Sequence, residues 1–317
     1  MKRILFIIDK IELKYFEFNN LVTNFWLIKE FLERGCEVFI TTIPNLSLKA
    51  DTAYTKCYEA FAADGNIFYK NVKIEKQIDE FELVMFRPDP PVDIDYINAT
   101  YIFDFVTKPI VINSPASIRD FNEKLHSVYF KEFMSPNIVT ASLEEIEEFL
   151  ARYKQIVLKP LNRCFGSGVM YLYEGDPNTR TIINTMTNNE TTLVMVQQFI
   201  PAVKKGDTRV LTLGDKVLKY CIKKLPSKDD FKFNNHSDNF ITKSELTEDE
   251  LQNFEPVARR LNSMGISMAG LDVIDGKIIE VNVTSPCYFI KEINNLYGIQ
   301  LEKEVCDFLL THALLSL

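Results

Sequence analysis

Residues 270–286 read GLDVIDGKIIEVNVTSP and show the alternation of a pair of β-strands. The large apolar residues at positions 271, 273, 279, 281 and 283 all have odd numbers, so on pleated strands they lie on one face. The even positions carry polar residues. Asp275-Gly276 is typical of the turn between two strands. The pattern therefore predicts a β-hairpin with one apolar face and one acidic face.

The length of the turn decides which acids of this hairpin face each other. A two-residue turn would pair Asp272 with Ile279 and would place Glu280 on the wrong face. A three-residue loop over residues 275–277, with Gly276 in the left-handed conformation, avoids this fault. It sets Asp272 opposite Glu280 and keeps the apolar rows together. We therefore predict the longer loop.

The acidic face of the hairpin would carry two carboxylates and an amide oxygen, from Asp272, Glu280 and Asn282, with no nearby Lys or Arg to neutralise them. Exposed acids on the polar face of a hairpin are common. Carboxylates that oppose each other across strands repel, however. Oxygen-only ligands suit Mg²⁺. We favour a metal site over a solvated face.

Composition limits the classes of partner. The chain has 317 residues, which is long for one core and predicts two or three subdomains. Its formal net charge of −8 disfavours nucleic acid or an anionic membrane as the main partner. The six cysteines form no CxxC pair and there are only three histidines, so a zinc site is not expected.

The same composition indicates a compartment. Scattered cysteines are typical of free thiols in a reducing cytosol. The first apolar run, residues 4–8, is too short for a signal peptide or a membrane span. We expect a soluble, cytoplasmic protein.

The amino-terminal segment alternates strand, helix and strand over residues 3–9, 21–34 and 36–43. This order predicts an α/β domain whose parallel sheet presents functional groups at the carboxyl ends of its strands. No GxGxxG follows the first strand, so the dinucleotide-binding fingerprint is absent. Helical spacing recurs in later segments, at residues 96–105, 117–133, 142–153, 246–264 and 301–315.

A proline-rich turn, RPDPP, follows the apolar strand at residues 82–86 and presents Arg87 and Asp89 rigidly. Two interpretations are about equally supported. The two side chains form an ion pair that braces the turn, or Arg87 is placed to bind a substrate carboxylate through its planar fork.

A short glycine-bearing loop, NRCFGSGV over residues 162–169, follows the strand that ends at Lys159. Such a loop can lay backbone N–H groups against phosphate. An ordinary hairpin turn is the more frequent explanation, and the loop is not a Walker motif because no GK[ST] follows. Residues 227–239 are polar and lack glycine, which predicts a mobile loop.

Taken together, six blocks of sequence resemble the bacterial-type glutathione synthetases, which belong to the ATP-grasp superfamily of carboxylate–amine ligases. The blocks occur in order over almost the whole chain: FRPDPPVDIDYINATYIF, NSPASIRDFNEKL, VLKPLNRCFGSGV, EGDPN, FIPAVKKGDTRVL and GLDVIDGKIIEVNVTSP. The resemblance implies an α/β, ATP-grasp fold. It implies an N-terminal parallel-sheet substrate domain over residues 1–118, a small central lid domain over 119–190, and a C-terminal antiparallel-sheet catalytic domain over 191–317.

The resemblance also implies roles for individual residues. It places ATP between the last two domains, with contacts from Lys124, Lys159, Gly166, Gly168, Gln197, Gln198, Phe199, Ile200, Asp207 and Arg209. It assigns Mg²⁺ (or Mn²⁺) to Asp272, Glu280 and Asn282. It assigns the peptide substrate to Arg87, Asp89, Asn282 and Ser285. Lys159 and Arg209 are the residues expected to act in catalysis.

The implied reaction is the ATP-dependent joining of γ-glutamylcysteine and glycine through an acyl phosphate, with release of ADP and phosphate. A ligase for a different acid and amine is the alternative, because residues 227–239 lack the glycine-rich Arg-Gly-Asn step of the family. A nucleotide-binding module without catalysis fits less well, since the acids Asp272 and Glu280 are intact. A dinucleotide-dependent oxidoreductase fits poorly without the glycine fingerprint. The family further implies a homotetramer or homodimer.

Overall fold

The computed structural model describes residues 2–9, 20–164, 166–226 and 241–315. Within these residues, three β-sheets follow one another along the chain. The loop predicted over residues 227–239 lies outside the described residues.

The first sheet has the strand order β3-β4-β2-β1-β7-β8, and β5 and β6 pair with β4. Its strands are β1 (Arg3–Ile8), β2 (Glu37–Thr42), β3 (Leu46–Lys49), β4 (Thr52–Ala63), β5 (Asn66–Tyr69), β6 (Ile74–Gln77), β7 (Leu83–Phe86) and β8 (Ile110–Ile112). Strand β1 pairs in parallel with β2 and β7, and β7 with β8, which confirms the predicted parallel pairing for this part of the sheet. Strand β4 pairs antiparallel with its neighbours, so the whole sheet is mixed.

The first sheet is covered on both faces. Successive residues of β1 alternate between two cores: Ile4 and Phe6 pack into one, and Leu5 and Ile7 into the other. This explains why the strand reads as a continuous apolar run rather than as an alternation. Its helices are α1 (Thr23–Glu33), α2 (Ile94–Ile102) and α3 (Pro115–Asp120).

The second sheet is antiparallel, with the order β11-β10-β12-β9. Its elements are β9 (Asn137–Thr140), α4 (Leu143–Tyr153), β10 (Gln155–Pro160), β11 (Met170–Tyr173), α5 (Thr179–Met186) and β12 (Val194–Gln198). Ser142 caps α4 by accepting a hydrogen bond from the Glu145 N–H. Strand β12 belongs to this sheet, although the division made from the sequence places residues 191–317 in the third segment.

The third sheet has the order β16-β15-β13-β17-β18, and β14 pairs with β13. Its strands are β13 (Asp207–Leu213), β14 (Lys216–Val217), β15 (Cys221–Lys224), β16 (Ile241–Ser244), β17 (Met268–Ile274) and β18 (Lys277–Asn282). The helices of this part are α6 (Glu248–Ser263), α7 (Ile290–Tyr297) and α8 (Leu301–Leu315). Among the described residues, no helix combines the length and apolar character that crossing a bilayer requires.

The single helix predicted over residues 117–133 is wrong. Helix α3 ends at Asp120, and 3-10 turns follow only at His126–Phe133. Between them, the Asn122 side-chain oxygen accepts hydrogen bonds from the N–H groups of Lys124 and Leu125. Such local side-chain bonds compete with helical bonds, and they create a turn at residues 122–124.

The hairpin of β17 and β18 has the predicted pairing but not the predicted turn. Asp272 lies opposite Glu280, as expected. Ile274 pairs with Lys277, however, so the turn is two residues long, with positive φ angles of 52° at Asp275 and 71° at Gly276. These angles are typical of the type I′ hairpin turn.

A β-bulge corrects the register in place of the third loop residue. The register shifts between Asp272 and Val273, and Val273 pairs with Ile278. Ile278 therefore packs into the core, fully buried, in the position that the sequence analysis assigned to Ile279. Ile279 instead lines the cleft described below.

The bulge predicts that Ile278 and Ile279 differ in their contribution to stability. Ile278→Ala should lower the free energy of unfolding by about 2–5 kcal/mol, because it opens a cavity in the core. Ile279→Ala should lower the free energy of unfolding by only about 1 kcal/mol, because the Ile279 side chain buries less apolar surface on folding than that of Ile278. Urea unfolding of both variants measures the difference. Equal losses, or a larger loss for Ile279→Ala, would contradict the observed register.

Candidate active site

A cleft lies between the second and third sheets, and the loop after β7 closes one end of it. The second sheet contributes Lys159 from β10 and Gln197 from β12. The third sheet contributes the charged faces of β13, β15, β17 and β18. Among the described residues, ten charged side chains line the cleft: Asp89, Glu123, Lys124, Lys159, Arg163, Asp207, Arg209, Lys224, Asp272 and Glu280.

Asp272 is the most heavily partnered acid of the cleft. It lies directly opposite Arg209 on the neighbouring strand, and the guanidinium binds both carboxylate oxygens, at 2.7 Å from Nε to Oδ1 and 3.2 Å from Nη2 to Oδ2. Lys224 Nζ lies 3.3 Å from Oδ1. Burial pushes the pKa of Asp272 upward, but Arg209 and Lys224 outweigh burial and hold this pKa well below its usual range.

Glu280 is also neutralised, by Lys124 at 2.8 Å between Nζ and Oε1. The expectation that no Lys or Arg lies near these acids is therefore wrong. The cations come from residues that are 63 and 156 positions away from their partners in the chain. A reading of the hairpin alone could not include them.

Asp207 keeps one oxygen available in this buried network. Its Oδ2 pairs with Lys224 Nζ at 2.7 Å. Its Oδ1 is buried and has no hydrogen-bond partner within the described part of the chain. Burial and the nearby charge of Asp272 raise the pKa of Asp207 to about 6. A buried acceptor of this kind suits a ligand hydroxyl, such as those of a ribose.

Lys159 reaches across the cleft from the second sheet to the third. Its Nζ donates to Gln197 Oε1 at 2.8 Å and to the Ile279 carbonyl at 3.1 Å. Burial lowers the pKa of Lys159 to about 8, and the nearby charge of Lys124 acts in the same direction. The amide nitrogen of Gln197 is buried and has no partner among the described residues, so it can donate to a ligand.

The part of the cleft next to Gln197 is an apolar slot. Phe199 and Ile200 line it from the chain after β12, and Val157 and Ile274 line it from the two sheets. Tyr171 packs edge-on against Phe199, with ring centroids 4.7 Å apart. A flat aromatic ligand such as a nucleobase fits this environment.

The other end of the cleft meets the carboxyl ends of β1 and β7. Buried Arg87 donates to Asn24 Oδ1 at 2.7 Å and to the Pro286 carbonyl at 2.9 Å, and its Nη2 lies 3.5 Å from Ser285 Oγ. Arg87 thus braces the segment after β18 from behind. Asp89 lines the cleft itself, and burial raises the pKa of its carboxyl despite a hydrogen bond from Ser285 and the charge of Arg87.

The structure brings nearly all the predicted site residues together. Among those residues, Arg87 and Gly168 do not line the cleft. Gly168 lies against the side chains of Pro160 and Arg163 and has a φ of 75°, whereas Gly166 lines the cleft.

Four charged residues of this region were missed by the sequence analysis: Asp9, Glu123, Arg163 and Lys224. Lys224 carried a usable signal, because antiparallel pairing of β13 and β15 sets it opposite Asp207. Asp9 ends a parallel strand, and its carboxylate accepts a hydrogen bond from the Asp89 N–H at 2.7 Å. Glu123 and Arg163 carried no periodic signal.

The hairpin face fits a hard divalent cation. Asp272 and Glu280 oppose each other, and the amide nitrogen of Asn282 donates to Asp272 Oδ2 and to the Gly270 carbonyl, so its Oδ1 is the atom left for a ligand. Within the described ranges, no three His, Cys, Asp or Glu residues cluster as a metal site. The candidate donors on the hairpin face are two carboxylates and an amide oxygen, a set that would suit Mg²⁺ or Mn²⁺ rather than zinc.

Comparison with known proteins assigns the chain to a family. The family model described as prokaryotic glutathione synthetase, N-terminal domain, matches residues 2–119, and the model of the ATP-grasp domain of the same family matches residues 123–298. The chain belongs to the prokaryotic glutathione synthetase family.

Individual relatives agree with this assignment. A glutathione synthetase of Vibrio parahaemolyticus is 33% identical over 291 residues, which cover 90% of this chain and 91% of the relative. A glutathione synthetase of Thermosynechococcus vestitus is 35% identical over 236 residues, 74% of each chain.

Solved structures agree on the fold. D-cycloserine synthetase superposes with a TM-score of 0.69 at 14% identity, covering 98% of this chain and 99% of the other. D-alanyl-alanine synthetase A of Vibrio cholerae superposes with a TM-score of 0.61 at 11% identity, covering 99% and 98%. The chain has the ATP-grasp fold of ATP-dependent carboxylate–amine ligases.

The ion-pair network predicts a difference in stability between buried and exposed pairs. Asp272→Asn should lower the free energy of unfolding by about 3 kcal/mol, because it leaves two buried cations short of a carboxylate. Glu147→Gln, which breaks the exposed pair with Arg180, should change it by less than about 1 kcal/mol. Urea unfolding at neutral pH without ligands measures both. If Asp272→Asn leaves the free energy of unfolding unchanged, the ion pair does not stabilise the ligand-free fold.

Proposed function

We propose that the protein joins γ-glutamylcysteine to glycine while ATP is cleaved to ADP and phosphate. The observation that carries this proposal is the convergence of cations on one cleft that also holds opposed carboxylates, in a chain of this family. Among these cations are Lys124, Lys159, Arg209 and Lys224. Such an arrangement suits a reaction in which several anions must be held together.

The chemistry explains why charge, rather than a nucleophilic side chain, dominates the site. A carboxylate is a poor electrophile, so its oxygen first attacks the γ-phosphorus of ATP, and ADP leaves. The amine of glycine then attacks the acyl carbon, and phosphate leaves as the amide bond forms. The triphosphate and the incoming carboxylate repel each other, and positioned cations offset this repulsion.

We propose roles for individual residues that the family resemblance implies and that their places in the cleft support. Lys124 and Lys159 hold phosphate oxygens, and Arg209 faces the transferring group and the substrate carboxylate. The slot of Gln197, Gln198, Phe199 and Ile200 holds the adenine, and the free oxygen of Asp207 accepts from the ribose. Gly166 in the loop over residues 162–168 supplies backbone contacts to phosphate, and Gly168 shapes that loop.

Asp272, Glu280 and Asn282 would hold Mg²⁺ or Mn²⁺, and the ion would supply neutralisation of phosphate charge. When ATP and the ion are present, Arg209, Lys224 and Lys124 exchange carboxylate partners for phosphate partners. The peptide substrate occupies the opposite end of the cleft, near Asp89, Asn282 and Ser285, with Arg87 behind them.

We further propose the three-segment organisation over residues 1–118, 119–190 and 191–317, with β12 contributed to the central sheet. A homotetramer or homodimer is the assembly expected for this family. All six cysteines are free thiols, which supports a cytoplasmic location. A ligase for another acid and amine is the second candidate, and it is favoured by the absence of glycine from residues 227–239.

Release of ADP tests the proposed reaction directly. The protein with Mg-ATP and γ-glutamylcysteine should release ADP when glycine is added, and the product should have the mass of glutathione. A panel of other amines and acids serves as the comparison. Turnover with another pair and none with glycine would support the second candidate. No turnover with any pair would remove the assignment of a ligase.

Glu280→Gln tests the metal face. The substitution is nearly isosteric but removes a charged ligand and the partner of Lys124, so turnover should fall by at least about 100-fold. Circular dichroism should show that the fold is retained. Glu147→Gln, far from the cleft, should keep the activity of the wild-type protein. Full activity of Glu280→Gln across a titration of Mg²⁺ would exclude Glu280 from the metal site.

A further inference from the structure

One carboxylate of the cleft, that of Glu123, accepts hydrogen bonds from backbone and hydroxyl groups of one short segment. Its Oε1 accepts hydrogen bonds from the Val283 N–H at 2.7 Å, from the Thr284 N–H at 3.0 Å and from Thr284 Oγ1 at 3.0 Å. Three donors converge on this one oxygen, so the contact fixes the direction of the segment that carries them.

The backbone of Glu123 holds the same segment. Its carbonyl accepts from the Val281 N–H at 3.1 Å. The next residue, Lys124, pairs with Glu280. Two consecutive residues of the turn at 122–124 therefore contact the chain from residue 280 to residue 284.

The segment from residue 280 to residue 284 begins inside strand β18 and ends beyond it. Glu280 and Asn282 belong to β18 and are fixed by the ladder with β17. Val283 and Thr284 lie beyond the end of that strand and are buried, so the ladder does not satisfy their N–H groups. The carboxylate of Glu123 replaces the missing ladder partner, as buried N–H groups require.

The residue that follows this segment belongs to the peptide end of the cleft. Ser285 lines the cleft, and the carbonyl of Pro286 is held from behind by Arg87. The contacts of Glu123 lie between the metal face on β18 and this end of the cleft. They determine the path of the chain from one to the other.

We propose that Glu123 is a positioning residue, which fixes residues 283–285 so that Ser285 and its neighbours bind the acid substrate. The identity of that substrate as γ-glutamylcysteine rests on the proposed function. Glu123 acts through the backbone of this segment, and it acts on the acid substrate rather than on the nucleotide.

Steady-state kinetics of two variants tests this role. Glu123→Ala removes the acceptor, so the KM for γ-glutamylcysteine should rise about tenfold or more, because small displacements of a binding group have large effects. The KM for ATP should change less than about threefold, since the ladder still holds Glu280 and Asn282. Glu123→Gln keeps an acceptor oxygen and should restore the KM for the peptide to within about threefold of wild type.

A matched control separates positioning from general loss of stability. Glu132→Ala removes an exposed carboxylate from the same part of the chain and should leave both KM values unchanged. If Glu123→Ala fails to fold, Glu123→Asp replaces it, because the shorter side chain cannot satisfy all three donors. An unchanged KM for the peptide in the folded variant, or equal rises in both KM values, overturns the proposal.

Hydrogen exchange separates this proposal from the proposed reaction. Without any substrate, the amides of Val283 and Thr284 should exchange at least about tenfold faster in Glu123→Ala than in wild type, and Glu123→Gln should stay close to wild type. Unchanged protection overturns the positioning role even if the enzyme makes glutathione. Lost protection supports it even if another acid proves to be the substrate, and the KM test is then made with that acid.

Discussion

The cleft depends on the burial of four charged side chains in one antiparallel sheet. Arg209 opposes Asp272 across β13 and β17, and Asp207 opposes Lys224 across β13 and β15. Lys224 joins the two pairs, because its Nζ contacts both acids. Buried charges are tolerated only when they are paired and hydrogen-bonded. Strand register thus sets which charges neutralise each other.

This arrangement links the stability of the ligand-free protein to its chemistry. The cations that would meet phosphate are already desolvated and held in place by acids, so little reorganisation is needed when an anionic ligand enters. The acids that they leave can then bind a cation of the ligand complex. Under the proposed function, the side chains that stabilise the ligand-free cleft are also the ones that would recognise the nucleotide.

The first sheet and the turn at residues 122–124 complete the cleft from outside the third sheet. Lys124 pairs with Glu280, and Glu123 satisfies the N–H groups that follow β18. Buried Asn113, which follows β8, also contacts this hairpin: its amide nitrogen donates to the carbonyls of Met268 and Val283. The end of one hairpin is thus held by side chains from two connecting loops.

Local pattern determined much of this molecule. The alternation over residues 270–286 was enough to predict the hairpin and the pairing of Asp272 with Glu280, because side-chain period and turn chemistry act over a few residues. The family resemblance carried by six sequence blocks was enough to predict the ATP-grasp fold and about half of the described residues that line the cleft. The tertiary structure decided how the strand register of the hairpin is adjusted and which cations pair with its acids. The register is adjusted by a bulge next to Asp272 rather than by a longer loop, since Ile278 gains burial in a core formed by distant residues. Asp272 and Glu280 are neutralised by Arg209 and Lys124, which no local pattern could place, because pairing across strands and between sheets depends on the path of the whole chain.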